Sequence, residues 1–346
     1  MARHLLKRLA HAVLVLWAAY TLAFILLTAL PGNAIANLIN NPQNQLTPED
    51  GKILKAFYGL DHPVVVQYLR ALDALLHGNL GYSLSNGVKV SDLLGDALPG
   101  TLRLTALGFV FGAVIAAAVG VAGSYTRWNW LRTLLRSVPA LAASVPSFVV
   151  GILILSGFSF ELHLIPAVDN GTLLALVGPA FTLGIMISAP LSQVFSASIE
   201  ATRRQPFVHV LQARGAGERY IFGHGVLRNS SLPVLTMLGL AMGELIAGSV
   251  VTEAVFARNG IGQITLNAVN TQDLPVVQGV VLVATTGYVL VNLVVDVVHP
   301  LIDPRIRADI LAGRAKRIKR STGATPVGPG VDEAMAPRLP EEVATR

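Results

Sequence analysis

Six stretches of predominantly apolar residues, at about 9–30, 104–123, 137–158, 173–195, 232–252 and 276–299, constrain this chain more than any other feature. A helix needs roughly 20 such residues to cross a hydrocarbon core about 30 Å thick. Each stretch is close to that length, and the first holds no formal charge other than a conditional one on His11. Only 13% of the chain is charged, against about 25% in an ordinary soluble domain, so too little polar surface remains to face water all round. The sequence therefore predicts an all-α integral membrane protein of about six transmembrane helices. Pro139 and Pro146 fall in the third stretch and Pro179 and Pro190 in the fourth. Prolines inside a span free carbonyls that neighbouring helices must satisfy, which favours a packed bundle over isolated helices in lipid.

Basic residues set the expected orientation. Arg3, Lys7 and Arg8 precede the first stretch; Arg127, Arg132 and Arg136 follow the second. Arg203, Arg204, Arg214, Arg219 and Arg228 lie between the fourth and fifth, and Arg305, Arg307, Arg314, Lys316, Arg317, Lys319 and Arg320 follow the sixth. Six spans put all four groups on one side. The 159–172 connection has no Lys or Arg, and 253–275 has only Arg258. Both termini are expected in the cytoplasm, with the first stretch a retained helix: its apolar run is longer than the core of a cleaved signal.

Four regions follow: 1–30, a basic start and first span; 31–100, an extracytoplasmic loop region; 101–307, a core of five spans; and 308–346, a basic then disordered tail. Apolar spacing in the second region predicts a short amphipathic helix near 62–77. The tail combines a basic cluster, expected near anionic headgroups, with Pro326, Pro329, Pro337 and Pro340 among small and acidic residues.

Several chemistries lack their residues. No phosphate-cradling Gly-x-x-x-x-Gly-Lys and no His-Glu-x-x-His occurs, the eight histidines are scattered, and there is no cysteine. An intramembrane serine hydrolase would have only Ser156, Ser188 and His299 to work with, and nothing pairs a nucleophile with a base. An ion-coupled secondary transporter would want paired in-span carboxylates and often an internal repeat, neither of which is evident. The net charge of +6 is explained by cytoplasmic loops and implies no nucleic acid.

The connection between the fourth and fifth stretches is the most informative. It runs over 200–231 and contains Phe207, Val210 and Leu211 at helical spacing, then small residues at Ala213, Gly215, Ala216 and Gly217. That pattern suits either a short helix gripped by a partner or a solvated connector. Its details, Ala213-Arg214-Gly215, Glu218-Arg219, Leu227-Arg228-Asn229 and Pro233, resemble the cytoplasmic EAA motif of permeases of ATP-binding-cassette importers. The form is that of the B-type subunit of dipeptide/oligopeptide systems. Val251-Thr252-Glu253-Ala254-Val255-Phe256, Gly260-Ile261-Gly262, Asp273-Leu274-Pro275, Asn292 with Asp296, and Asp303-Pro304-Arg305-Ile306-Arg307 extend the resemblance. So do Gly59-Leu60-Asp61-His62-Pro63 and Gly78-Asn79-Leu80-Gly81-Tyr82-Ser83 upstream.

The resemblance implies the type I importer fold and a non-enzymatic subunit of a bacterial cytoplasmic membrane that forms half of a translocation path. It implies peptides as substrate, with nickel or another small solute as alternative. The implied partners are a second related permease, two ATPase subunits that bind the ATP and Mg, an extracytoplasmic substrate-binding protein and membrane lipid. Coupling to the ATPases is expected through a helix at 207–219, with Phe207, Ala213, Arg214, Gly215, Gly217, Glu218, Arg228 and Asn229 as its residues. Glu244 departs from the family, which more often has a small or polar residue inside the fifth span. It is expected either to face the translocation path or to bond between helices. Asp296 is expected to pack.

Overall fold

The computed structural model describes residues 2–29, 39 and 47–302. The chain separates into two units, Met1–Val298 and His299–Arg346, and the site residues described below all lie in the first. The side chains of Asp296 and His299, the segment 303–307 and the tail 308–346 fall outside the described residues.

Twelve α-helices order the described chain. They are α1 (Ala2–Ala29), α2 (Pro48–Phe57), α3 (Val64–Leu76), α4 (Val90–Tyr125), α5 (Asn129–Ser144) and α6 (Ser147–Ile154), then α7 (Leu173–Arg203), α8 (Pro206–Ala213), α9 (Glu218–Tyr220), α10 (Leu227–Val255), α11 (Ile261–Asn270) and α12 (Leu274–Ile302). α6 widens into a π-helical turn at Leu155–Glu161, and a second π-helical turn, Ile221–Val226, joins α9 to α10. Five of these elements are long and apolar enough to cross a membrane: Arg8–Ala29 in α1, α4, α7, the run Glu218–Val255, and Leu274–Leu293 in α12.

The third apolar stretch behaves differently from the straight span its length predicts. It is broken into α5 and the Ser147–Glu161 segment, bent by 106°. The cause is local. Val145 precedes Pro146 and takes an extended conformation (φ −91°, ψ 127°), because the proline ring disfavours helical backbone in the residue before it. Pro146 then starts α6. The second span is also longer than its apolar core. α4 begins at Val90, where Val90, Leu94, Ala97 and Thr101 form a buried stripe at helical spacing through a segment that also carries Ser91, Asp92 and Asp96.

The bundle closes around α4 and α7, and glycines let their backbones approach. Gly108, Gly112 and Gly120 repeat along one face of α4 and receive Leu183, Ile187 and Phe195 of α7. Gly184 of α7 meets Phe111 and the backbone of Gly112. Leu104, Leu183, Ile187, Leu191 and Leu245 fill the core between α4, α7 and α10. α3, expected near 62–77, lies against α1. Thr21 and Tyr68 share a 2.7 Å hydroxyl hydrogen bond, and the Phe24 and Tyr68 rings meet edge to face at 5.3 Å.

Candidate functional site

The α8 end is built from residues that terminate helices. α7 stops at Arg203, and Gln205 turns extended ahead of Pro206, whose missing N–H is no loss at the first position of α8. α8 then lies on a hydrophobic hub. Val208 is buried with Phe195 and Ile199 of α7 and with Ile221 and Val226, and Phe207 and Leu211 pack against the same group. Gly225 makes room for the Phe207 ring: a Cβ there would stand 3.0 Å from it. The inward face is therefore Phe207, Val208 and Leu211. Val210, which the sequence spacing grouped with Phe207 and Leu211, is 51% exposed.

The coupling helix expected at 207–219 ends at Ala213. Gly215 adopts φ +78°, its N–H bonds the Gln212 carbonyl at 2.9 Å, and the Ala216 N–H bonds the Leu211 carbonyl at 3.1 Å. This reciprocal pair is a Schellman stop, and a left-handed residue there is most often glycine. Nothing lies within 4 Å of a Cβ built on Gly215, so the requirement is conformational. Ala213, Arg214, Gly215, Gly217, Glu218 and Arg228 are all exposed. Asn229 is not part of that surface; its amide donates to the Gly225 carbonyl at 2.8 Å, at the π-helical turn. Tyr125, at the end of α4, holds the hub from the side. The Arg203 guanidinium sits 4.6 Å over its ring and donates to the Ser124 carbonyl, and Phe222 meets the ring edge-on. Arg136 of α5 pairs with Glu200 of α7.

The opposite end of the bundle holds a joint that sequence reasoning did not assign. Glu253, at the end of α10, is 1% exposed. One carboxylate oxygen accepts from the Thr101 hydroxyl of α4 at 2.6 Å, and the other accepts from the Gly262 N–H at the start of α11 at 2.7 Å. The Thr101 hydroxyl oxygen in turn accepts the Ile261 N–H at 3.0 Å. Both glycines of the Gly260-Ile261-Gly262 segment are demanded by this packing. A Cβ on Gly260 would overlap the Glu253 carboxyl, and one on Gly262 would meet the backbone of Val250. Next to it the buried Arg258 pairs with Asp169 at 2.9 Å and reaches the Ala175 carbonyl of α7 at 3.4 Å.

A second buried carboxylate anchors the 81–89 loop. Asp273, just ahead of α12, accepts from the Ser83 hydroxyl at 2.5 Å, the Ser85 hydroxyl at 2.9 Å and the Ser85 N–H at 3.1 Å. The Tyr58 hydroxyl donates to the Ser83 carbonyl at 2.9 Å, and burial, with a smaller effect of the Asp273 charge, raises its phenol above the ordinary value. Thr47 and Asp50 form a reciprocal cap on α2. Bonds from the Thr47 hydroxyl and N–H hold the Asp50 carboxyl below its ordinary value.

Glu244 belongs to neither end. It lies midway along α10 and is exposed. Among the described residues, no cluster of three or more His, Asp or Glu side chains is placed to hold a metal ion. The arrangement carries packing surfaces and anchored joints, in which the hydroxyls of Ser83, Ser85 and Thr101 serve as hydrogen-bond donors to the buried carboxylates of Asp273 and Glu253.

Comparison with known proteins gives a consistent result. The family described as binding-protein-dependent transport system inner membrane component matches residues 108–308, and its N-terminal companion matches residues 1–105. The glutathione transport system permease protein GsiC of Escherichia coli (strain K12) is 30% identical over 307 residues, covering 89% of this chain and 99% of its own. A protein of Brucella suis biovar 1 (strain 1330), provisionally named a peptide permease, is 34% identical over 318 residues with the same coverage. A solved structure of the MetNI methionine ABC transporter in inward-facing conformations superposes with a TM-score of 0.52 at 17% identity. The match covers 61% of this chain and 96% of that one, and it bears on the fold alone.

Proposed function

We propose, from the premise that this chain belongs to the family of binding-protein-dependent transport system inner membrane components, that it forms half of a translocation path for small peptides and is driven through α8. It is a multi-pass inner-membrane permease subunit of an ATP-binding-cassette importer; it performs no covalent chemistry, and ATP is bound by partner ATPases. Peptides are favoured as substrate by two relatives, one named for glutathione and one as a peptide permease. The complete assembly on this reading adds a second related permease, two ATPases and an extracytoplasmic binding protein. Both termini and α8 lie on the cytoplasmic side, where the basic residues concentrate.

The observation that carries the coupling role is the division of α8 into two faces. Phe207, Val208 and Leu211 lock it to the ends of α7 and α10, while Val210, Ala213 and Arg214 stand outward. A partner gripping the outer face therefore moves two spans through a packed hub rather than a loose loop. The second face of the surface is Gly217, Glu218 and Arg228, whose exposure leaves them open to the same partner.

The test is co-purification of the tagged chain with its partners from mild detergent. Wild type is expected to bring down a second permease and an ATPase. Val210→Asp is expected to lose the ATPase and retain the permease, because it charges the outer face without touching the hub. Retention of the ATPase by that variant would refute the coupling surface. A wild-type chain that purifies alone would refute the assembly.

A further inference from the structure

Glu244 is a carboxylate with no counter-charge among the described residues. By sequence it stands 12 residues inside the apolar stretch from one end and 8 from the other, about 18 Å and about 12 Å along a helix. It shares a face of α10 with Pro233, Thr236, Leu240, Ala247 and Val251, all exposed and spaced three or four residues apart. The buried face carries Gly239, Ala241, Leu245, Ser249 and Thr252. Arg258 is the only basic residue between 232 and 293, and Asp169 already holds it. Glu244 makes no hydrogen bond or ion pair with any described side chain.

An ionised carboxylate at that depth is strongly disfavoured against lipid and is at home only against water, a polar partner or a cation. An aromatic group packs at the residue before it. The Tyr288 ring of α12 lies on Gly243, where a Cβ would come within 2.6 Å of the ring, and Tyr288 is 46% exposed. Gly243 thus lets an accessible aromatic ring sit one residue from an accessible carboxylate. An ammonium group on a ligand passing this face of α10 can be held by the carboxylate through Coulomb attraction and by the negative face of an exposed ring.

We propose that Glu244, with the Tyr288 ring seated at Gly243, forms a selectivity site on the translocation path for substrates bearing a cationic amine. This rests on the reading of the chain as half of a peptide importer. Within that reading the site favours peptides with a lysine side chain over those with an added carboxylate, independently of the choice made by the binding protein. Its uncovered face is the wall of a wet path.

The test uses the complete complex in proteoliposomes, with the binding protein and ATP. Uptake is measured for three probes, Ala-Lys, Ala-Ala and Ala-Glu, supplied together and quantified by mass spectrometry. Glu244→Gln is expected to lower the Ala-Lys to Ala-Glu uptake ratio on the order of tenfold, the scale of one lost charge pair in a partly wet site. Glu244→Lys is expected to lower it further, and Gly243→Ala, which displaces the ring, to lower it less. An unchanged ratio in Glu244→Gln would overturn the proposal, whether total uptake fell or not. Loss of the second permease from the Glu244→Gln complex would also overturn it, since Glu244 would then be an interface hydrogen-bond partner. If the wild-type complex takes up none of the probes with ATP, the peptide-importer reading itself fails and the proposal with it.

Discussion

Removing the Glu253 carboxylate is the sharpest test of how the α11 end is held. Glu253→Ala leaves two buried donors without their acceptor, the Gly262 N–H and the Thr101 O–H. An orphaned buried donor costs about 1–3 kcal/mol, so the pair costs roughly 2–6 and centrally about 4 kcal/mol. At about 2–4 °C per kcal/mol for a chain of this order of size, that lowers the melting temperature by about 8–16 °C. Glu253→Gln separates geometry from charge. The amide oxygen still accepts the Gly262 N–H. The amide nitrogen faces the Thr101 oxygen, which already takes the Ile261 N–H but has a second lone pair. That variant is expected to lose only about 1 kcal/mol. The assay is tryptophan-monitored thermal unfolding of the purified chain in one detergent. Glu253→Ala melting within about 2 °C of wild type would show that the three-way joint does not bear on stability. Equal losses in the Ala and Gln variants would show that charge rather than shape is what the site requires.

Two glycines should respond to the same substitution by different amounts. Gly184→Ala drives a Cβ to 2.7 Å from Phe111 and 3.0 Å from the Gly112 backbone, which cannot yield, and is expected to cost about 2–3 kcal/mol in the same melting assay. Gly215→Ala meets open space and pays only the left-handed backbone strain, about 1 kcal/mol; a larger loss would mean that the Schellman stop supports more than α8. The raised Tyr58 phenol makes its stabilising bond to Ser83 sensitive to alkali. Because the folded value lies above the unfolded one, the contribution is intact below about pH 10 and falls as pH rises through the raised value. A wild-type minus Tyr58→Phe difference in tyrosinate absorbance should titrate above pH 10, and a midpoint at or below 10 would contradict the burial.

How much of this was legible depended on the range of the interaction. Apolar runs of membrane-spanning length and the 3.6-residue pattern are local, and they gave the spans and the helix at Val64–Leu76. Two local signals were present but outweighed. Pro146 marked the break at Val145, yet hydropathy carried the reading straight across it. Gly215 marked the end of α8, yet the motif's length extended the helix beyond it. The start of α4 was written in Val90, Leu94, Ala97 and Thr101, but Ser91, Asp92 and Asp96 between them made the segment look like loop. The α11 joint was out of reach, because Thr101 and Glu253 are 152 residues apart and neither residue type specifies the other.

The two ends of the molecule nevertheless share the same two helices, and this gives the sequence motifs a common physical purpose. α7 runs from the Ala175 carbonyl that Arg258 reaches to Phe195 and Ile199 in the hub under α8. α10 leads from Val226, in the same hub, to the Glu253 carboxylate. Between them Leu183, Ile187, Leu191, Ala241 and Leu245 form one packed core, and close-packed side chains resist independent sliding of the helices that carry them. This route passes through the π-helical turn Ile221–Val226, whose Gly225 carbonyl accepts from the Asn229 amide. Stiff helices anchored by buried carboxylates at one end and by a small apolar hub at the other are what a chain needs if work applied at α8 is to be delivered across the membrane rather than absorbed in its loops.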